Sequence, residues 1–269
     1  MSASDETGDY RVLQADADPQ TFLCDLRRAG RRLLLLDYDG TLAPFTPERD
    51  RAFPYPGVRD LLARILADER NRVVVISGRA VADLIPLLGI DPPPEIWGSH
   101  GWEQRRADGT YHGPAFPDGL AELLEAEWQW MQEHLPPQQL ERKPASVAVH
   151  WRGVGDEERE RIRAAAEKRW AAFEDMDLLD LHAFDGGLEL RAAGKTKGDA
   201  AHTLLRDVPA SVPTAYLGDD RTDEDAFAAL EGRGLRVLVR REFRPTRADI
   251  HLVPPADLLN FLTHWTNGT

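Results

Sequence analysis

The chain contains one cysteine, three methionines and no excess of basic charge. A single thiol, Cys24, cannot close an internal disulfide or furnish a cysteine-rich zinc site, which points to a reducing compartment. No apolar run approaches the roughly 20 residues that cross a bilayer, so no membrane role is expected. Acidic residues outnumber basic ones, 46 to 33, and the formal charge of -13 argues against a non-specific nucleic-acid binder. Residues 1–10 are acidic and polar where a secretory signal would be basic and then apolar, and a cytoplasmic protein is expected. Internal repeats and low-complexity tracts are also missing.

What is present is a chain of 269 residues, long enough for one large domain or for a core domain carrying an insertion. Its organising stretch is Leu33-Leu34-Leu35-Leu36-Asp37-Tyr38-Asp39-Gly40-Thr41-Leu42. Four apolar residues without polar alternation predict a strand buried on both faces, as in a parallel sheet. Asp37 and Asp39 then fall at its C-terminal end, where open α/β sheets bind ligands, and Gly40 lets the chain turn away sharply.

The pattern strand, loop, helix repeats through residues 73–76 and 81–88, with Ser77-Gly78-Arg79 at the second strand end. Residues 95–97 and Gly98-Ser99-His100-Gly101 give a third strand and its loop. Such alternation predicts a parallel sheet with right-handed crossovers, hence a doubly wound α/β core. Before it, residues 1–20 lack periodicity and are expected to form a loose arm, followed by a short helix over 20–29. Pro44 and Pro47 predict an irregular loop, and apolar spacing predicts a helix over 58–66.

The text changes from residue 105 to 193. Helical patterns over 121–134 and 157–173 are mixed with alternating strands over 146–151, 178–184 and 187–191, the last two separated by Asp185-Gly186, a hairpin signal. This predicts an inserted α+β cap at 105–193 between core segments 1–104 and 194–269. After Lys197-Gly198 the core resumes with a helix to about residue 206, strands at 214–217, 237–239 and 250–253, and a closing helix over 256–265.

Parallel strands bring Asp37 with Asp39, Ser77, and Asp219 with Asp220 and Asp223 to one edge of the sheet. Mg²⁺ suits such a set, since it takes oxygen ligands and is often held by one or two carboxylates together with substrate phosphate. Each fragment alone has an ordinary structural explanation. Asp-x-Asp-Gly is common in turns, acids favour a helix N-terminus, and Ser77 can cap its own helix. Convergence is what favours chemistry.

The ordered set 37–42, Ser77-Gly78-Arg79, Lys197-Gly198 and Gly218-Asp219-Asp220 resembles the haloacid dehalogenase superfamily of phosphohydrolases, with a Rossmann-like core. Within it, residues 98–103, Glu141-Arg142-Lys143, His150-Trp151-Arg152, Glu189-Leu190-Arg191 and the run 218–227 resemble the trehalose-6-phosphate phosphatase family. That resemblance implies Asp37 as nucleophile and Asp39 as acid and base. It implies Mg²⁺ held by Asp37, the Asp39 carbonyl and Asp219, with Asp220 and Asp223 as further ligands or orienting groups, and Ser77 and Lys197 on the phosphoryl group.

Lys195 is an alternative for that phosphate contact, although Gly198 after Lys197 favours Lys197. Arg79, Glu141, Lys143 and Glu189 are the implied substrate contacts. The implied substrate is trehalose 6-phosphate, the expected assembly a monomer, and the expected associate a trehalose-phosphate synthase. Alternatives are the same chemistry on another sugar or glycoside phosphate, or a non-catalytic sugar-phosphate sensor or regulatory subunit of a trehalose-synthesising complex.

Overall fold

The computed structural model describes residues 10–46, 48–173, 176–184 and 186–266. Its contacts divide the chain into two compact units, Met1–Tyr111 with Thr196–Thr269, and His112–Lys195.

The first unit is built on a nine-stranded sheet. Strand Arg32–Leu36 lies between Thr214–Gly218 and Asn71–Ile76, parallel to both. Leu235–Val239 and Ile250–Leu252 continue the parallel set on one side, and Glu95–Gly98 on the other. Register places Leu36 beside Leu217 and beside Val75. The residues that follow each of these three strands therefore emerge at the same edge.

Because strand side chains alternate, Leu34 and Leu36 face one core layer with Val73, Val75 and Leu217, under helices Val58–Leu66, Val81–Leu88 and Ala256–Thr266. Leu33 and Leu35 face the other with Val74, Ile76 and Tyr216, under Lys197–Arg206 and Glu224–Ala229. Each buried leucine contributes about 1.5–3 kcal/mol, so the central strand, apolar on both faces, anchors both layers.

The edges depart from the sequence reading. Arg11–Val12 is no loose arm: it pairs antiparallel with the last strand, Arg11 opposite His251. Asp18 then caps helix Pro19–Arg28 by accepting from the Thr21 amide at 2.9 Å. Two residues of backbone pairing carry no periodicity, so the pattern could not show them. Residues 1–9 of that arm, Pro47, and Asp185 of the hairpin signal lie outside the described residues. Glu103–Arg105 and Tyr111–His112 extend the large sheet, and the division between units falls after residue 111 rather than 104.

The second unit has an antiparallel four-stranded sheet in the order Leu140–Lys143, Ser146–His150, Gly187–Ala192, Leu179–Phe184. Val147, Val149, Leu188 and Leu190 are buried, as are Leu124 and Met131 of helix Leu120–His134 and Ile162 of helix Asp156–Trp170. Glu127, 2% exposed, ties those helices together by accepting from Arg169 and from Trp170 Nε1.

Candidate active site

Asp37 leaves the central strand buried, with its amide held by the Leu217 carbonyl at 2.8 Å. Lys197, the first residue of its helix, donates to Asp37 Oδ1 at 2.6 Å and to Asp223 Oδ1 at 2.8 Å. Thr41 Oγ1 donates to Asp37 Oδ2 at 3.1 Å. The glycine after Lys197, Gly198, is packed against the next helix: a Cβ there would strike the Asp225 backbone. Two motif glycines are likewise required by crowding, since a Cβ at Gly40 would collide with the Asp219 carboxylate and one at Gly218 with the Asp223 side chain.

Asp223 is saturated. Its Oδ1 accepts from Lys197 and from Tyr216 OH at 2.6 Å, and its Oδ2 from the amides of Asp219 at 3.0 Å and Asp220 at 2.9 Å. A carboxylate offers about four lone-pair sites, so Asp223 is fitted to organise the loop. Asp219 is the opposite case, its Oδ1 buried without a hydrogen-bond partner. Such an atom is costly unless something occupies it.

One ligand oxygen from each of Asp37, Asp219 and Asp223 lies within 4.8 Å of the others. The electrostatics match a cation cradle. Burial pushes the Asp37 carboxyl up to about 7; Lys197 pulls it down and Asp223 repels it further upward. Burial, then repulsion from Asp37 and Asp223, pushes Asp219 up to about 10. Burial alone would lower Lys197, but Asp223 and Asp37 outweigh it and hold the ammonium charged. An oxygen-only, carboxylate-rich set with one orphaned buried oxygen fits Mg²⁺.

Asp39 is engaged otherwise. Arg79 grips it with two parallel bonds of 2.6 Å, from Nε to Oδ2 and from NH2 to Oδ1, and anchors on the Arg49 carbonyl at 2.7 Å. Ser77 Oγ accepts from the Arg79 amide at 3.1 Å, which leaves its own proton to donate. Asp220 is exposed and joins Asp223 in a capping box, so its side chain is outside the cluster. Lys195 is exposed, whereas Lys197 is buried.

In the second unit, register aligns Glu141, Ala148, Glu189 and His182 in one row across the sheet, with Lys143, Ser146, Arg191 and Asp180 in the row two residues on. Rows two apart share a face, so Glu141, Lys143 and Glu189 stand together. Lys143 Nζ and Ser146 Oγ both donate to Glu189 Oε1 at 2.6 Å, and His150 Nε2 lies 2.8 Å from Glu141 Oε2.

Sequence reasoning gave no role to Thr41, Tyr216 or His150. Thr41 and His150 stood inside quoted motifs, while Tyr216 read only as apolar filling of a strand. Burial and Asp223 push the Tyr216 hydroxyl well above its ordinary value, so it remains a donor.

A doubly wound core with acidic strand ends, a buried lysine and a separate α+β unit defines the fold class as haloacid-dehalogenase-like. The trehalose-6-phosphate phosphatase structure from Aspergillus fumigatus superposes with a TM-score of 0.65 at 28% identity, covering 94% of this chain and 98% of that one. The C-terminal domain of the C. albicans trehalose-6-phosphate phosphatase shares the fold at a TM-score of 0.75 and 21% identity, over 96% of this chain and 99% of that one. A sequence model of the trehalose-phosphatase family matches residues 35–250, and on that match the chain belongs to that family. The trehalose-phosphate phosphatase of Mycobacterium tuberculosis is 33% identical over 270 residues, which cover 95% of this chain and 66% of that protein's length.

Proposed function

We propose that the chain hydrolyses trehalose 6-phosphate to trehalose and inorganic phosphate through an aspartyl-phosphate on Asp37, with Mg²⁺ as cofactor. The observation that carries the reading is the Lys197 ammonium bridging Asp37 and Asp223 beside the orphaned Asp219 oxygen. A carboxylate nucleophile needs a fixed counter-charge where a dianionic phosphate must approach, and this arrangement supplies it.

In the first half-reaction an Asp37 oxygen attacks phosphorus, the bond from phosphorus to the sugar oxygen breaks, and Asp39 protonates that oxygen. In the second, Asp39 takes a proton from water as the water oxygen attacks phosphorus, which returns Asp37 and releases phosphate. Asp39 must free one oxygen from Arg79 to do so, making Arg79 its holder between steps. Ser77 Oγ donates to a phosphoryl oxygen, and Lys197 offsets the charge gathering beside Asp37.

Asp37, Asp219 and the Asp39 carbonyl would hold Mg²⁺, with Asp223 and Asp220 orienting the loop. When bound, the ion supplies charge that neutralises the phosphoryl oxygens and fixes their alignment. Glu141, Lys143 and Glu189 would read the sugar, their mixed charges accepting from and donating to hydroxyls. The units 1–111 with 196–269, and 112–195, would then act as catalytic core and specificity cap. No described helix is long and apolar enough to cross a membrane.

The test is to mix enzyme, Mg²⁺ and trehalose 6-phosphate, quench in acid, and locate the phosphate by peptide mass. Phosphate on the peptide holding Asp37, with trehalose released, supports the reading. Turnover without any phosphoenzyme in wild type or in the Asp39→Asn variant would sink the covalent route.

A further inference from the structure

The acidic loop after strand Thr214–Gly218 is gripped from outside by the segment joining the last two strands of the parallel set. Arg244 Nε donates to the Asp219 carbonyl at 3.2 Å, NH2 to the Asp220 carbonyl at 2.6 Å, and NH1 to Glu224 Oε1 at 2.5 Å. Arg240 NH1 adds a 3.4 Å bond to the Asp219 carbonyl. Glu224 fixes the segment in return, accepting from Thr246 Oγ1 at 2.7 Å and from the Arg247 amide at 2.8 Å. The segment is rooted in the sheet, since the Arg240 amide donates to the Leu252 carbonyl and His251 Nε2 lies 2.7 Å from the Arg240 carbonyl.

Asp219 has a particular need for such a grip. Its Oδ1 meets no partner among the described residues, so no hydrogen bond at that oxygen aims the carboxylate. The carboxylate packs against Gly40, and the peptide units on either side of Asp219 are both fixed. The preceding one is held by Asp223 Oδ2 on the Asp219 amide, and the following one by Arg244 and Arg240 on the Asp219 carbonyl. We propose that Arg244 is a positioning residue for the cation site, its planar fork setting the Asp219 and Asp220 carbonyls so that Asp219 Oδ1 points at the ion. This rests on Asp219 being a metal ligand. Groups behind ligating carboxylates commonly govern affinity as strongly as tenfold to hundredfold, and a rigid fork that meets the Asp219, Asp220 and Pro245 carbonyls and Glu224 Oε1 at once is something lysine cannot copy.

The experiment is calorimetric titration of MgCl₂ into chelator-treated protein of this 269-residue chain, for wild type, Arg244→Gln and Arg244→Lys, alongside metal-free melting curves. The Mg²⁺ Kd should rise about tenfold to hundredfold in Arg244→Gln, and Arg244→Lys should recover only a minor part of it. Arg244→Gln also breaks the mostly buried ion pair to Glu224, so its metal-free melting temperature should fall, and the titrations are run well below both melting temperatures, where a residue that acts only on the fold leaves the Kd unchanged. An unchanged Kd in folded Arg244→Gln, or full recovery in Arg244→Lys, would overturn the positioning role. If wild type takes up no Mg²⁺, the cation-site reading fails and the positioning role with it. Wild-type uptake with an unchanged variant Kd defeats the positioning role alone.

Discussion

Asp37 and Asp39 stand two residues apart and live in different surroundings. Asp37 is 3% exposed and shares a lysine with Asp223, whereas Asp39 is half-buried and gripped by an arginine. If Asp37 is the nucleophile, Asp37→Asn, which keeps the shape and removes the anionic charge, should lower phosphate release by about 10³-fold or more in a protein that still melts cooperatively. Substantial turnover by folded Asp37→Asn would refute the covalent role. Lys197→Ala should be worse for the fold, because it strands two buried carboxylates. Breaking such a buried set costs about 3–5 kcal/mol, which denaturant titration of the metal-free variant would reveal. The acids were legible in sequence because they terminate an apolar run. The division of labour between Asp219 and Asp223 was not, since it depends on which oxygen accepts the Asp219 and Asp220 amides and the Tyr216 hydroxyl.

At the scale of elements, the strands and helices that carry apolar periodicity were readable, and those held by backbone pairing alone were not. Strand Arg32–Leu36 and helix Val58–Leu66 follow their patterns. Arg11–Val12 and Tyr111–His112, two residues each at the sheet edges, exist through hydrogen bonds that leave no pattern in side-chain type. In the second unit the period of two does more, placing Glu141, Lys143 and Glu189 on one face. If that face reads the sugar, Glu141→Ala, Lys143→Ala and Glu189→Ala should each lose about tenfold to hundredfold in kcat/KM on trehalose 6-phosphate while keeping activity on a small aryl phosphate. Equal losses on both substrates would assign these residues to the fold of the sheet instead.

For the whole molecule, the acidic cluster couples folding to pH and to cations. Asp37 binds its proton up to about pH 7 in the folded chain and only to about 3.8 in its ordinary state, and Asp219 holds on still longer. Between these values the native state binds more protons than the unfolded one, so the stability of metal-free protein should decline as pH rises from about 4 to 7. Mg²⁺ should reverse the decline by replacing the proton as counter-charge, giving a larger rise in melting temperature at pH 7.5 than at pH 5. Thermal melts at the two pH values, with chelator and with Mg²⁺, would check it. A Mg²⁺ effect that is equal at both would detach the carboxylates from the ion.

The most direct test of the account is phosphate release by the purified chain in Mg²⁺ across a panel of phosphorylated sugars, expressed as kcat/KM. The account predicts release that disappears with chelator and with Asp37→Asn, and a kcat/KM on trehalose 6-phosphate at least about tenfold above that on glucose 6-phosphate or sucrose 6-phosphate. Equal or higher efficiency on another sugar phosphate would contradict the substrate, and tight binding of trehalose 6-phosphate without release of phosphate would contradict the catalyst.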